Sequence, residues 1–501
     1  MLINDLVSAS RRVAATRSRK EKVAALAEAL RAAGPADVAV VVSYLAGSLR
    51  QRRTGLGWRS LMDLPDPAPT PTLEVAEVDA VFEHIAALAG GGSRAAREEA
   101  VADLFGRATA PEQVWLRGLV TGELRQGALD ALVQEAVATA AEVPVTAVRR
   151  AAMLAGATVP VAVAVLTEGP TALDSFRLEV GRPVLPMLAS SAPDVAAALA
   201  KVGGQVAVDA KLDGIRIQVH RDRDDVRLAT RTLEDITTRL PEVVEAVRRL
   251  PVDRVVLDGE VMLLGPDGRP RPFQETASRT ASGSGAGVTP YFFDVLHLGD
   301  RSLLDDTAAE RHERLVEVVG GELLVPRLVT DDAGSAQSFF DQVVADGHEG
   351  VVVKSLTSTY QAGRRGASWV KVKPVHTLDL VVLAVERGSG RRAGWLSNIH
   401  LGARDPATGD FVMLGKTFKG MTDEVLAWQT ERFRELATSD DGHVVHVRPE
   451  QVVEIAFDGI QTSRRYPAGM ALRFARVIRY RDDKGPEEAD TVETVRSLLA
   501  T

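Results

Sequence analysis

The chain has 501 residues, 45% of them hydrophobic and 26% charged, with a formal net charge of −8. That length accommodates about three domains, and the composition is that of a soluble globular protein. The chain has no cysteine, which excludes disulfides, cysteine-ligated zinc, iron–sulfur clusters and a thiol nucleophile, and suits a reducing cytoplasm. The start, Met1-Leu2-Ile3-Asn4-Asp5-Leu6, meets charge too early for a secretory signal. The apolar stretch at residues 159–166 is too short to span a bilayer. The expected location is therefore cytoplasmic, with no membrane partner. An acidic total does not advertise nucleic-acid binding, but binding depends on local patches. Basic residues do crowd the start: Arg11, Arg12, Arg17, Arg19, Lys20 and Lys22, then Arg50, Arg52, Arg53 and Arg59.

Residues 1–175 read as an all-α domain, because alanine, leucine and charged residues recur at helical spacing. The proline-rich run at residues 65–72 must be a loop, and Gly90-Gly91-Gly92 breaks the pattern again. Further on, Gly122-Glu123-Leu124-Arg125-Gln126-Gly127 forms a short polar turn. Backbone amides and Arg125 could hold a phosphate there. On physics alone an ordinary helix–helix turn is the simpler reading.

From residue 176 to 374 the texture changes to short valine-rich strands between turns, which predicts an α+β domain on antiparallel sheets. Strands are expected at 206–211, 226–230, 254–264, 291–296, 350–354 and 369–373, with a helix at 241–250. From residue 375 to 501 come strands at 378–385, 397–402, 411–417, 451–457 and 472–480, with a helix at 422–436. Five strands and one helix suggest a small closed β-barrel of OB type.

The central stretch is Val206-Ala207-Val208-Asp209-Ala210-Lys211-Leu212-Asp213-Gly214-Ile215-Arg216. Its alternation places Asp209 and Lys211 on one face of a strand, just before a tight turn. A lysine so placed is a candidate nucleophile, although a hairpin with a surface lysine fits this stretch equally well. Later segments shift the balance. Asp258 and Glu260 share a face, Glu349 and Lys354 bracket a β-branched run, and Lys371 and Lys373 lie together beside Trp369. Tyr291-Phe292-Phe293-Asp294 supplies rings that could stack on a base. Together these residues describe a nucleoside triphosphate site. Lysines neutralise phosphates, Glu260 and Glu349 offer hard oxygen ligands for Mg²⁺, and Lys211, once deprotonated, could attack the α-phosphorus. Leu414-Gly415-Lys416-Thr417 imitates the end of a P-loop, but Asp410 stands where the earlier glycine is required and no helix is expected to follow.

Lys211-Leu212-Asp213-Gly214-Ile215-Arg216 matches the K-x-D-G-x-R motif of ATP-dependent DNA ligases, and the whole chain resembles that family. Thr230-Arg231, Leu257-Asp258-Gly259-Glu260, Tyr291-Phe292-Phe293-Asp294, Glu349-Gly350-Val351-Val352-Val353-Lys354 and Trp369-Val370-Lys371-Val372-Lys373 follow in the family's order. Arg473-Phe474-Ala475-Arg476-Val477 resembles its closing motif, and residues 122–127 resemble a segment of its DNA-binding domain. Two positions depart from the usual pattern. Asp209 stands where many members have Glu, and Thr232 where Asn is more usual.

The resemblance implies a helical DNA-binding domain (1–175), an adenylation domain of nucleotidyltransferase, ATP-grasp-like fold (176–374) and an OB-fold domain (375–501). It implies that Lys211 becomes adenylylated and that Asp209 contacts adenine. Arg216, Arg231 and Glu260 would contact the nucleotide, and Phe293, or Tyr291 on the same face, would stack on the base. Arg365, Lys371 and Lys373 would hold phosphate, Glu260 and Glu349 would bind metal, and Arg125, Gln126 and Gly127 would bind DNA. The implied cofactors are ATP and Mg²⁺, with Mn²⁺ an alternative. The implied partner is nicked double-stranded DNA, and the protein would be a monomer associated with the nucleoid. RNA ligases and capping guanylyltransferases share the lysine motif, but the long helical domain argues for duplex DNA. A non-catalytic nick-binding scaffold would not need Lys211, Glu260, Glu349 and Lys371 together.

Overall fold

Helical spacing is realised over most of the described first part of the chain, apart from residues 46–74. The computed structural model describes residues 1–51, 53–124, 130–361, 365–389 and 392–498. Its first helices are α1 (Ile3–Ala15), α2 (Arg19–Ala32), α3 (Val38–Leu45), α4 (Val75–Ala87), α5 (Ser93–Arg107), α6 (Ala110–Thr121), α7 (Asp130–Ala140), α8 (Val145–Ala155) and α9 (Thr158–Thr167). Local chemistry sets their ends. The Ser18 side chain accepts the Glu21 amide at the start of α2, and Thr109 and Glu112 cap α6 reciprocally. The proline-rich loop and the glycine break fall between helices, as expected. The apolar faces meet in one core that buries Leu6, Leu26, Tyr44, Phe82 and Phe105. Among the described residues no helix is long and apolar enough to cross a membrane.

The strands and helices that follow are β1 (Leu188–Ser191), α10 (Val195–Val202), β2 (Val206–Lys211), β3 (Ile215–Asp222), β4 (Asp225–Thr230), α11 (Pro241–Arg248), β5 (Arg254–Met262), α12 (Phe273–Ser282), β6 (Thr289–Leu298), β7 (Arg301–Ser302), α13 (Ala308–Val319), β8 (Arg327–Thr330), α14 (Ala333–Ala345), β9 (Gly350–Ser355) and β10 (Arg365–Val372). They build two five-stranded sheets, ordered β1-β10-β9-β2-β8 and β4-β3-β5-β6-β7. The second sheet is antiparallel from strand to strand. Strand alternation divides its side chains between two cores. Val255, Leu257 and Phe292 pack with Val243 of α11 and Leu315 of α13, whereas Val256 and Leu296 pack with Met187, Tyr360 and Trp369. The charged residues of β5 belong to the second face.

The last strands are β11 (His376–Arg387), β12 (Leu396–Arg404), β13 (Phe411–Thr417), β14 (Ala437–Asp440), β15 (Val444–Val447), β16 (Val452–Phe457), β17 (Gly459–Thr462), β18 (Met470–Arg473) and β19 (Arg476–Tyr480), with helices α15 (Asp423–Glu435) and α16 (Val492–Ser497). The expected closed barrel is not formed by the pairings among the described residues. The long strand β11 pairs with β12 on one side, and on the other first with β16 at residues 376–381 and then with β15 at 384–386. The sheet therefore forks along β11 instead of closing. The strand expected at 472–480 is also broken. Phe474 takes φ +56°, a left-handed conformation that interrupts a strand, so β18 and β19 pair with different partners.

Contacts divide the chain into two compact units. One comprises Met1–Ser191, Leu199–Asp332 and Val352–Val370; the other comprises Ala192–Ala198, Ala333–Val351 and Lys371–Thr501.

Candidate active site

Lys211 ends β2 and is half-buried. The chain must turn at once to enter β3, and Gly214 makes the turn fit. A Cβ there would lie 2.2 Å from the Val261 carbonyl oxygen, so any larger residue would push the turn off β5. The Gly214 amide donates to Glu260 Oε1 at 2.9 Å, which ties the turn after Lys211 to β5. In the sheet register Arg216 lies opposite Glu260, and Glu260 opposite Tyr291, so these residues form a row across β3, β5 and β6.

Arg216 is deeply engaged. Its Nε and Nη2 donate to the two oxygens of Asp258 at 3.0 and 2.6 Å, and its Nη1 donates to the Met187 carbonyl at 2.7 Å. The Tyr360 hydroxyl donates to the same Asp258 at 2.7 Å. The guanidinium carbon lies 5.4 Å from the Phe293 ring centre and 5.7 Å from that of Trp369. Phe293 and Trp369 meet edge to face at 5.9 Å. Burial opposes the charge on Arg216, and Asp258 more than offsets it.

Asp209 is buried, with Arg327 Nε 2.5 Å from one oxygen, and Arg327 Nη2 at 2.8 Å and Lys354 Nζ at 2.6 Å from the other. Burial would raise its pKa, but Lys354 and Arg327 hold it at about 2. Lys354 is itself pushed down by burial, and its ammonium lies 4.5 Å and 4.3 Å from the ring centres of Phe293 and Trp369. No motif in the sequence marks Arg327 or Tyr360. The signal for Arg327 was a lone charge between Pro326 and an apolar strand, Leu328-Val329.

The other expected site residues are placed as follows. Arg231 is exposed on the turn after β4, where the Thr230 hydroxyl accepts the Glu234 amide. In the second unit Lys371 and Lys373 are half-buried at and just beyond the end of β10. Lys373 pairs with Glu349 and, at 3.3 Å, with Asp458, whose other oxygen lies 3.3 Å from Arg476 Nη1. Partial burial disfavours the charge on Lys373, but Glu349 and Asp458 together raise its pKa. Gly350 permits Glu349 its place, since a Cβ there would lie 2.2 Å from the Val372 carbonyl. Arg365 opens β10. Arg125, Gln126 and Gly127 lie outside the described residues. Lys416 of the false P-loop lies within β13 and pairs with Glu386. Among the described residues no three His, Asp or Glu side chains gather to hold a metal ion. Single carboxylates such as Glu260 and Glu349 suit a cation that takes its remaining ligands from phosphate and water, as Mg²⁺ does.

Comparison with known proteins gives a consistent picture. A family model for the ATP dependent DNA ligase domain matches residues 186–373, one for the ATP dependent DNA ligase C terminal region matches 392–484, and one for the DNA ligase N terminus matches 63–138. A protein of a Nocardioides species called a probable DNA ligase is 69% identical over 100% of this chain and 99% of its own length. Another of the same description, from Kineococcus radiotolerans, is 67% identical over 99% of this chain and 100% of its own length. A solved structure named Pmar-Lig_PreS3 shares the fold, with a TM-score of 0.65 at 18% identity, covering 95% of this chain and 99% of that one.

Proposed function

Because the chain belongs to the ATP-dependent DNA ligase family, we propose that Lys211 is the residue through which it seals nicks in duplex DNA. Members of this family are covalent nucleotidyltransferases, and the reaction has three phosphoryl steps. In the first, the neutral Lys211 amine attacks the α-phosphorus of ATP. The N–P bond forms, the bond to the β-phosphate oxygen breaks, and pyrophosphate leaves with that electron pair. In the second, the 5′-phosphate of the nick attacks the same phosphorus and displaces the lysine. In the third, the 3′-hydroxyl attacks the adenylylated 5′-phosphate, loses its proton, and AMP leaves.

The observation that carries this reading is the setting of Lys211. It stands at a strand end, next to a turn that only glycine fits, and the turn is tied to Glu260. A nucleophile needs that fixed aim, because in-line displacement depends on orientation. Phosphate contacts are assigned to Arg231, Arg365, Lys371 and Lys373, base stacking to Phe293, and further nucleotide contacts to Arg216 and Glu260. Mg²⁺, when bound, neutralises phosphate charge, and Glu260 and Glu349 are the carboxylates assigned to it. The division into a DNA-binding domain (1–175), an adenylation domain (176–374) and an OB-type domain (375–501) is part of the same proposal. So are a DNA contact at Arg125, Gln126 and Gly127, a monomeric state and an association with the nucleoid.

The test is incubation with α-labelled ATP and Mg²⁺ without DNA. Wild-type protein should take up label, and Lys211→Ala should take up none while melting at the same temperature. Equal labelling of the variant would place the nucleophile elsewhere.

A further inference from the structure

Strand β2 lies between β8 and β9. Asp209 lies two residues before Lys211, so the two side chains leave the strand on the same face. Its carboxylate receives a cation from each neighbouring strand: Arg327 from β8, directly opposite in the register, and Lys354 from β9. The Arg327 fork is bidentate, which fixes direction as well as distance. Three N–H donors thus occupy most of the carboxylate's acceptor positions. The side chains of all three residues are between 3% and 11% exposed.

The place of this clamp matters more than its strength. β8 has only four residues and forms the edge of its sheet. Asp209↔Arg327 is the last register pair at the Lys211 end, followed only by the Ala210 amide on the Pro326 carbonyl at 2.8 Å. Short edge strands fray, and the side chains at their ends decide how firmly they hold. Here the last pair before the nucleophile is closed by a buried ion triad.

We propose that Arg327 is a positioning residue for the first step: with Lys354 it locks Asp209, and Asp209 fixes the strand end that aims Lys211 rather than reading the amino edge of the base. This rests on Lys211 being the nucleophile. It gives Asp209 a different task from the adenine contact that the family resemblance implies, and it accounts for the shorter side chain. A carboxylate held back between two strands does not need the reach of Glu.

The experiment uses the full-length protein with Arg327→Met and Arg327→Lys. Single-turnover labelling by α-labelled ATP measures the first step across ATP concentrations. Sealing of a chemically pre-adenylylated nick measures the third step, which uses the AMP pocket but no lysine chemistry. Misaiming a nucleophile by an ångström costs on the order of 100-fold in rate. Arg327→Met should therefore lower the maximal labelling rate by about 10- to 100-fold, with half-saturating ATP changed by less than about threefold. Pre-adenylylated nicks should be sealed within about twofold of the wild-type rate, and Arg327→Lys should recover part of the labelling rate. Equal losses in both steps would make the triad merely structural and overturn the proposal. So would a loss confined to half-saturating ATP, or a shift in preference from ATP to GTP, because Asp209 would then be reading the base. If Arg327→Met does not fold, Arg327→Lys gives the same comparison alone. Wild-type protein without label, or label on Lys211→Ala, would instead bring down the nucleophile assignment, and the clamp with it.

Discussion

Asp209 and Asp458 each hold two basic partners, but in opposite surroundings. The Asp209 side chain is 3% exposed, and its partners Arg327 and Lys354 are 11% and 6% exposed. Asp458 is 23% exposed, and its partners Lys373 and Arg476 are 19% and 41% exposed. In the first cluster every charge has left water, so removing one member strands the others. In the second, water can replace any partner, and so can a phosphate oxygen. A buried triad suits a scaffold that must not move. A half-exposed one suits cations that must exchange one anion for another.

Three substitutions can break or sharpen that contrast. The largest effect is expected for Asp209→Ala, which leaves Arg327 and Lys354 buried without their anion. Loss of one member of a buried ion cluster typically costs about 3–5 kcal/mol, and urea unfolding should show it. A loss below about 1 kcal/mol, the range of surface pairs, would mean that the cluster is wetter than its burial indicates.

The next effect is in acid. Arg327 and Lys354 hold Asp209 at about 2, below the ordinary 3.8. A carboxylate depressed in the folded state contributes stability that is complete above its unfolded pKa and is lost as pH falls through the folded one. The contribution of Asp209 should therefore fade between about pH 4 and pH 2, by about 2 kcal/mol. Asp209→Asn should flatten that part of the stability curve relative to wild type. An unchanged slope would show that Asp209 is not held as an anion by its partners.

The smallest effect on stability belongs to Asp458→Asn, within about 1 kcal/mol because the cluster is open to water. Its consequence should be functional. On the proposal that Lys373 holds phosphate, the loss of a carboxylate that competes for it should lower half-saturating ATP in the labelling reaction by a few-fold, on the order of 1 kcal/mol of binding. A rise instead would make Asp458 a positive contributor to the site and not a competitor.

Much of the fold was legible because it is local. Gly90–Gly92 and the proline run announced helix breaks, and strand alternation at 254–264 put Asp258 and Glu260 on one face, as they are in β5. The Asp213-Gly214 turn was legible too, although its reason was not: the Val261 carbonyl that leaves no room for a Cβ lies 47 positions on. The closed barrel was not borne out, because the choice between closing and forking depends on which strands find β11. The long strand at 472–480 failed at Phe474, whose left-handed backbone no propensity scale anticipates.

By itself the sequence determined the succession of a helical part and two strand-rich parts, the face offered by strands such as β5, and the motifs that mark Lys211 and its charged neighbours. These follow from periodicity and from backbone preferences that act within a few residues. The last part, by contrast, has nine strands and two helices among its described residues and not the expected five strands and one helix. Only the tertiary structure decided the partners of those charges. Arg327 reaches Asp209 across 118 positions, and Tyr360 reaches Asp258 across 102. The physical reason is that a buried charge must be neutralised by whatever the sheet order brings beside it, and sheet order is a property of the whole chain. The same residue type is therefore buried between two cations at Asp209 and half-exposed between two at Asp458.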